Sequence, residues 1–370
     1  MLRLGLPHTP RRRRTRRAPA PPERWEPPVR HLRRTAVAAS VAVLALALAA
    51  CSGSTDDDAT AEPGSTASDG TTFPVTIESA LGTAVVEEKP ERVVTLGWGA
   101  DDITLSLGTV PVGVEADTWG GDADGYHPWF REAVEERDGE LPETIAAYPL
   151  DVDAIVALEP DLVLAPQSGM EQDVFDQLSE IVPVVAYPEE PWQTTIEQQV
   201  EIIATALGVP EQAEPLLDAR QQAIDEAAAA HPELAGISFA YVYAAEPGSM
   251  SVYLPGDPRV DLLSDLGLEL APSVAGLEPA PNTFTANLGL ENADTLSDVE
   301  LLFTWFNDDA EKAATEAQPL FAQIPAFASG AYVPMLDRSL GMAVSVATPL
   351  SVPWALDAYL PLITAGAEKA

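Results

Sequence analysis

Residues 150–166 read LDVDAIVALEPDLVLAP, an amphipathic stretch that runs directly into the apolar run Leu162-Val163-Leu164-Ala165. A strand whose apolar residues do not alternate is covered on both faces, and helices alternating with such strands build a parallel sheet. The same signature recurs outward from this point. Val93-Val94-Thr95-Leu96, Val112-Gly113-Val114 and Val184-Val185-Ala186 are further short apolar runs with amphipathic segments between them. Residues 211–230, EQAEPLLDARQQAIDEAAAA, predict one long helix stopped by Pro232. A second series follows, with strands at 237–243, 301–305 and 331–334, a helix near 259–266 and a closing helix from about Ser351. The predicted class is therefore α/β, with two αβ lobes of the parallel, doubly wound type at 72–208 and 233–370. One long helix at 209–232 joins them, and a ligand is expected in the cleft between.

Charge separates the first 50 residues from the rest. Residues 1–34 hold 11 of the 20 basic residues and only Glu23 and Glu26 among the 58 acids, so the chain from Cys51 onward keeps 9 basic and 56 acidic residues. A body this acidic offers no basic face for phosphates, which excludes nucleic acid as its partner. The Arg-rich start leads into an uncharged stretch at 36–50 that is shorter than the roughly 20 residues a membrane span needs. It predicts a cleaved export signal at 1–50. Leu48-Ala49-Ala50-Cys51 resembles a bacterial lipobox, which makes Cys51 the expected lipidated N-terminus of the mature chain. Residues 52–71 contain only Ala, Asp, Glu, Gly, Pro, Ser and Thr. They bury almost nothing and predict a disordered tether that holds the body at the extracytoplasmic face of the cell membrane.

Several blocks together resemble one known family, the substrate-binding lipoproteins of ABC importers for iron-siderophores, haem and cobalamin. KPERVVTLG at 89–97 and VPVGV at 110–114 are similar to the family's opening strands. LDVDAIVALEPDLVLAP is similar to its helix-then-strand block, LGLENADTLSDVELLF at 288–303 to the equivalent block of the second lobe, and SVATPLSVPWALDAYLPLI to its closing loop and helix. The resemblance implies a monomeric binding protein, not an enzyme, that captures a ferric siderophore and delivers it to a membrane permease. Iron is then present only within the bound chelate, and no intrinsic cofactor or metal site is expected. Haem or cobalamin on the same fold, or a ligand-sensing surface lipoprotein without transport, are the alternatives. Relatives dock on permease Arg residues through one acid near a helix start on each lobe, positions that fall here on Asp153 and Glu291. Acids at helix starts also arise simply from the helix dipole.

The ligand contacts follow from chemistry and from the loops at the carboxyl ends of the strands. Trp98 follows the first strand, Trp119 and Tyr126 lie in the loop WGGDADGYHPW at 119–129, and Trp305 ends a strand of the second lobe. Aromatic faces suit the flat, apolar parts of a chelate. Trp192 and Trp354 are assigned to helix core. Chelate oxygens suit a guanidinium fork, and Arg338 is preferred for this role, ahead of Arg131 and Arg259, with Tyr253 as a hydrogen-bonding neighbour. Arg92 and Arg220 are assigned structural roles and Arg137 a surface ion pair. His127 and His231 are the only histidines after Cys51, too few for a typical zinc or manganese site. His127 stands as a possible ligand contact or haem ligand, and His231 as a cation at a helix end. G-x-S-x-G, H-E-x-x-H and P-loop signatures are lacking, and Asp101-Asp102 is read as a helix cap. Replacing Cys51 with Ala is expected to move the protein from the membrane fraction to the soluble extracytoplasmic fraction; retention on the membrane would refute lipidation at Cys51.

Overall fold

The computed structural model describes residues 73–370 apart from Tyr148 and Ala245, so the export signal, Cys51 and the tether fall outside the described residues. A hairpin of β1 (Val75–Glu78) and β2 (Thr83–Val86) precedes a five-stranded sheet. Its strands are β3 (Val93–Thr95), β4 (Gly113–Glu115), β5 (Glu143–Ile145), β6 (Leu162–Leu164) and β7 (Val184–Val185). They lie in the order β5-β4-β3-β6-β7 with every neighbouring pair parallel. Helices α1 (Ala100–Ser106), α2 (Pro128–Glu135), α3 (Val152–Ala157), α4 (Gln172–Ser179) and α5 (Ile196–Ala206) alternate with these strands, and α6 (Ala213–Ala230) leads to the second sheet.

That sheet holds β8 (Ser238–Tyr243), β9 (Ser251–Tyr253), β10 (Glu269–Leu270), β11 (Thr285–Asn287), β12 (Leu301–Trp305) and β13 (Tyr332–Met335). The order is β11-β9-β8-β12-β13, with β10 paired to β8. Its helices are α7 (Pro258–Asp265), α8 (Pro272–Ala275), α9 (Asp309–Glu316), α10 (Pro325–Ser329), α11 (Arg338–Val346) and α12 (Ser351–Ala367). Here the structure departs from an all-parallel expectation, because β9 runs antiparallel to β8 and β11 antiparallel to β9. A short loop connects β8 to β9, which permits only an antiparallel return. No helix among the described residues is long and apolar enough to cross a membrane.

The block at 150–166 works as its sequence suggests, and the side chain that enters the strand does part of the work. Asp161, just before β6, accepts the backbone N–H groups of Glu91 (2.7 Å) and Arg92 (2.9 Å) at the start of the neighbouring β3. Glu300 repeats the device just before β12, accepting the N–H of Ser238 at the start of β8 (2.9 Å). In both sheets a carboxylate satisfies donors that the ladder leaves open at the strand entrance.

Helix α6 has 18 residues and a length of about 27 Å. Its Ala-rich end suits a helix on propensity alone, and it stops at His231 because Pro232 excludes helical geometry from the residue before it. It packs against α5, α7 and α12. The covalent path between the sheets is this single helix, but the core is continuous beyond it. Trp129, Phe130 and Val134 of α2 belong to the same buried cluster as the second sheet, and Trp354 of α12 packs on Trp129 with ring centroids 5.3 Å apart. At the centre of that cluster Phe303 lies between Phe239, Tyr241 and Tyr359, at centroid distances of 5.9, 6.0 and 6.3 Å. Phe303→Ala should lower stability by about 3–5 kcal/mol in urea unfolding; a loss below about 1 kcal/mol would show that the second lobe is held elsewhere.

Candidate functional site

The carboxyl ends of β3, β4, β6 and β12 open onto one cleft of about 1100 Å³. Open α/β sheets place ligands at this end because the loops diverge there. The chain leaves β3 through Gly97, whose φ of 79° and closeness to the Gln167 carbonyl leave no room for a side chain: a Cβ would lie 2.3 Å from that oxygen. Trp98 follows and faces the cleft, 38% exposed, tilted against Trp192 at 5.4 Å. Trp192 is therefore a cleft residue in the loop after β7, with a φ of 63°, and not the helix-core residue its spacing suggested. Trp354 does lie in a helix, α12.

Trp119, in the loop after β4, reaches across to the second lobe. Its Nε1–H donates to Asn307 Oδ1 (2.7 Å) and its ring meets Trp305 edge-on at 5.4 Å. Trp305 stacks in turn on Tyr243 at 4.2 Å. The Trp119 loop approaches α11 so closely that a Cβ on Gly120 would lie 2.3 Å from Met342 Cγ. Trp98, Trp119 and Trp305 all line the cleft.

Four other expected contacts sit elsewhere. Tyr126 donates its hydroxyl to the Pro142 carbonyl and lies under the Arg131 guanidinium, 4.7 Å from the ring centroid. Arg131 is clamped by Asp122 (2.6 Å) and Asp124 (2.7 Å), so both residues stabilise the loop and do not face the cleft. Tyr253 stands behind the wall, accepting the Trp305 indole N–H at 3.0 Å. Arg338 is exposed outside the lining and donates Nε to the Asn307 carbonyl (2.8 Å), so it supports the residue that Trp119 binds. Arg137 donates to the Leu105 carbonyl and forms no ion pair among the described residues.

The cations that do line the cleft are Arg259, Arg220 and His127. Arg259 is held bidentately by Asp257, at 2.8 and 2.6 Å, and lies 4.1 Å over the Tyr253 ring. Burial opposes its charge, but Asp257 outweighs burial and holds the guanidinium above its ordinary range. Arg220 is 8% exposed and donates Nε to the Ala347 carbonyl (2.8 Å). His127 stacks on Trp129 at 4.5 Å and shares Nε2 with Asp117 Oδ2 at 3.0 Å. Burial acts against its charge; the Asp117 hydrogen bond and the nearby Asp101 and Asp102 nonetheless raise its pKa above 6.5. That bond ties up the nitrogen a haem iron would need. His231 caps the end of α6 and pairs with Glu233 at 2.9 Å.

Asp101 and Asp102 are not caps, since Gly99 holds the N-cap position of α1. Asp102 is fully buried and accepts Trp129 Nε1–H at 2.8 and 3.0 Å and Thr348 Oγ1–H at 2.7 Å. Together with His127 these acids bring one possible ligand atom each to within 4.8 Å of one another. A cation there would have to displace Trp129 and Thr348 from Asp102, so the cluster is better suited to joining α1, α2 and the α11–α12 turn. Asp153 and Glu291 are both exposed, in the first turn of α3 and of the 3₁₀ segment Leu290–Leu296 respectively.

A model described as "Periplasmic binding protein" matches residues 93–333. The chain is 26% identical over 265 residues to the ferric enterobactin-binding periplasmic protein FepB of Escherichia coli O6:H1, covering 69% of this chain and 81% of FepB. It is 28% identical over 197 residues to the putative ABC transporter substrate-binding lipoprotein YhfQ of Bacillus subtilis, covering 53% and 55% of the two chains. Among solved structures it is similar to PiaA of Streptococcus pneumoniae TIGR4 in complex with ferrichrome, with a TM-score of 0.73, 31% identity, and coverage of 80% of this chain and 99% of that one.

Burial, followed by the Asp101 charge, lifts the Asp102 pKa from 3.8 to about 7. The folded chain then holds a proton that the unfolded chain releases, so this group's stabilising effect is complete below pH 3.8 and is lost as pH rises to about 7. Urea unfolding across that window should show Asp102→Asn gaining stability relative to the parent protein as pH rises. A pH-independent difference would mean that folding leaves the Asp102 pKa unshifted.

Proposed function

Because the chain belongs to the periplasmic binding protein family, we propose that it is the extracytoplasmic solute-binding component of an ABC importer and that its cargo is a ferric siderophore. The observation that carries this reading is the cleft itself: about 1100 Å³ at the carboxyl ends of two α/β sheets, walled by the faces of Trp98, Trp119, Trp192 and Trp305. A volume of this order takes a ligand of chelate size, and indole faces complement its apolar parts. The role is binding and delivery without catalysis, and iron enters as part of the cargo. Anchored through Cys51, the body stays within reach of a permease that docks on Asp153 and Glu291, both of which stand free in solvent at helix starts. Helix α6 and the buried joint between α2 and α12 keep the two walls in register.

Titrating the purified protein with ferrichrome, ferric enterobactin, haem and cobalamin while following tryptophan fluorescence tests the cargo. Saturable quenching by a ferric siderophore is expected at a Kd below about 1 µM, weakened at least about tenfold by Trp305→Ala. Quenching by haem or cobalamin alone would overturn the siderophore assignment. In cells, Asp153→Ala combined with Glu291→Ala should depress uptake of that siderophore while leaving its affinity unchanged, and undiminished uptake would remove the docking assignment.

A further inference from the structure

The three cations of the cleft are engaged to different degrees. Arg259 commits its fork to Asp257 through Nε and Nη2, and His127 shares Nε2 with Asp117. Arg220 is bonded through Nε alone, to the Ala347 carbonyl, and neither of its terminal nitrogens has a hydrogen-bond acceptor or an ion-pair partner among the described residues. A guanidinium carries five N–H donors in a planar fork, so four are left. They are not sealed away, since no Arg220 nitrogen is both enclosed and unpartnered, and the residue lines the cleft.

The placement of this side chain is unusual for a joining helix. Ala213, Arg220 and Ile224 are the residues that α6 buries, an inward seam at i, i+7 and i+11. A charge on such a seam is costly, and burial pulls the Arg220 pKa below 12.5 although Asp265, Glu197 and Asp261 act in the opposite sense. All three acids line the cleft, yet none is paired with the guanidinium. Holding Ala347 uses one N–H of the five. Ala347 ends α11 with a φ of 44°, so its carbonyl lies at the negative end of that helix and fixes the guanidinium plane. The outer edge of the fork is thereby preorganised for two further acceptors.

Resting on the siderophore reading above, we propose that the joining helix itself contacts the cargo: the two terminal nitrogens of Arg220 take a pair of acceptor oxygens of the bound chelate, which makes Arg220 a specificity-determining residue of the cleft. Iron-ligating oxygens come in adjacent pairs on a ferric chelate of any class, and a fork meets such a pair with two charge-assisted bonds. An apolar molecule of the same size would leave the buried donors unfilled. The cargo is then held between unlike surfaces, indoles against its apolar parts and a guanidinium against its oxygens.

Fluorescence quenching of the purified protein by ferrichrome and ferric enterobactin, repeated on Arg220→Met and Arg220→Lys, is the first test. Arg220→Met should weaken the tighter of the two chelates about ten- to hundredfold, and Arg220→Lys, which keeps the charge without the fork, should recover only part of that loss. Because Arg220→Met also releases Ala347, a second measurement reads the contact directly in the parent protein. Only six arginines follow Cys51, so side-chain 15N NMR with labelled arginine can follow each guanidinium, Arg220 being assigned by its absence from the Arg220→Lys spectrum. Saturation with the diamagnetic gallium complex of the same chelator should shift the Arg220 N–H resonances. Unmoved Arg220 resonances at saturation would overturn the proposal even where Arg220→Met binds weakly, since the residue would then act only through the Ala347 turn. Affinity within about threefold of the parent in both variants would overturn it as well. Absence of quenching of the parent by either ferric chelate would instead overturn the siderophore reading on which it rests.

Discussion

The buried carboxylate of Asp102 is the constraint on which the geometry of the cleft depends. It accepts the indole N–H of Trp129 in α2 and the hydroxyl of Thr348 in the α11–α12 turn, so one side chain on α1 fixes an element of each lobe. The turn it grips is itself tied together. Thr348 Oγ1 accepts the Ser351 N–H at 2.9 Å, Ser351 Oγ accepts the Thr348 N–H at 2.9 Å, and Ser351 Oγ donates to the Ala343 carbonyl at 2.9 Å. From the other side Arg220 of α6 holds the Ala347 carbonyl. Burying an ionised carboxylate is costly unless it is neutralised or fully hydrogen-bonded, and Asp102 meets the demand both ways, with three donor contacts and a raised pKa. Separating the lobes at this point would break the Asp102–Thr348 bond and leave the buried Thr348 hydroxyl without its acceptor, while the Asp102–Trp129 bond stays within the first lobe.

From that joint the cleft walls follow. The floor at 345–347 cannot shift relative to α1, and Trp119 closes the far side by bonding Asn307 and meeting Trp305 edge-on. Arg338 and Tyr253 act at one remove, holding Asn307 and Trp305 from behind. A wall built from indoles that are already hydrogen-bonded and stacked loses little side-chain entropy when a ligand arrives.

The fold was legible wherever burial on both faces left its mark. Runs such as Val93-Val94-Thr95 and Leu162-Val163-Leu164 show no alternation, and they form the centre of an all-parallel sheet. In the second lobe β9 and β11 were not foreseen, because SVY and TAN are three residues each and carry no periodic signal. The aromatic contacts at strand ends could be found because sheet topology dictates where those loops go. The arginines were harder, since their partners decide their role. Asp257 two residues before Arg259 was a readable sign of local pairing, as were Asp122 and Asp124 ahead of Arg131, but nothing local in the sequence marks the Asn307 carbonyl that takes Arg338. Asp102 was read as a helix cap because its partners lie 27 and 246 positions away.

The acidity of the chain acquires a second meaning from this geometry. On the surface, carboxylates are cheaply solvated and keep a tethered protein soluble. Within the cleft they are held by fixed dipoles: Asp117 accepts the N–H groups of Trp119 (2.7 Å) and Gly120 (3.1 Å) besides His127, and Glu115 accepts that of Gly97. Burial works against the Asp117 charge, yet those bonds keep its pKa below 3.8. These two carboxylates are thus fixed by backbone that does not rearrange, and they share the lining with Arg220, Arg259 and His127. The exterior is dominated by one sign of charge, whereas the cleft presents both. Discrimination begins during approach and is completed by contacts that stand in place before the ligand enters.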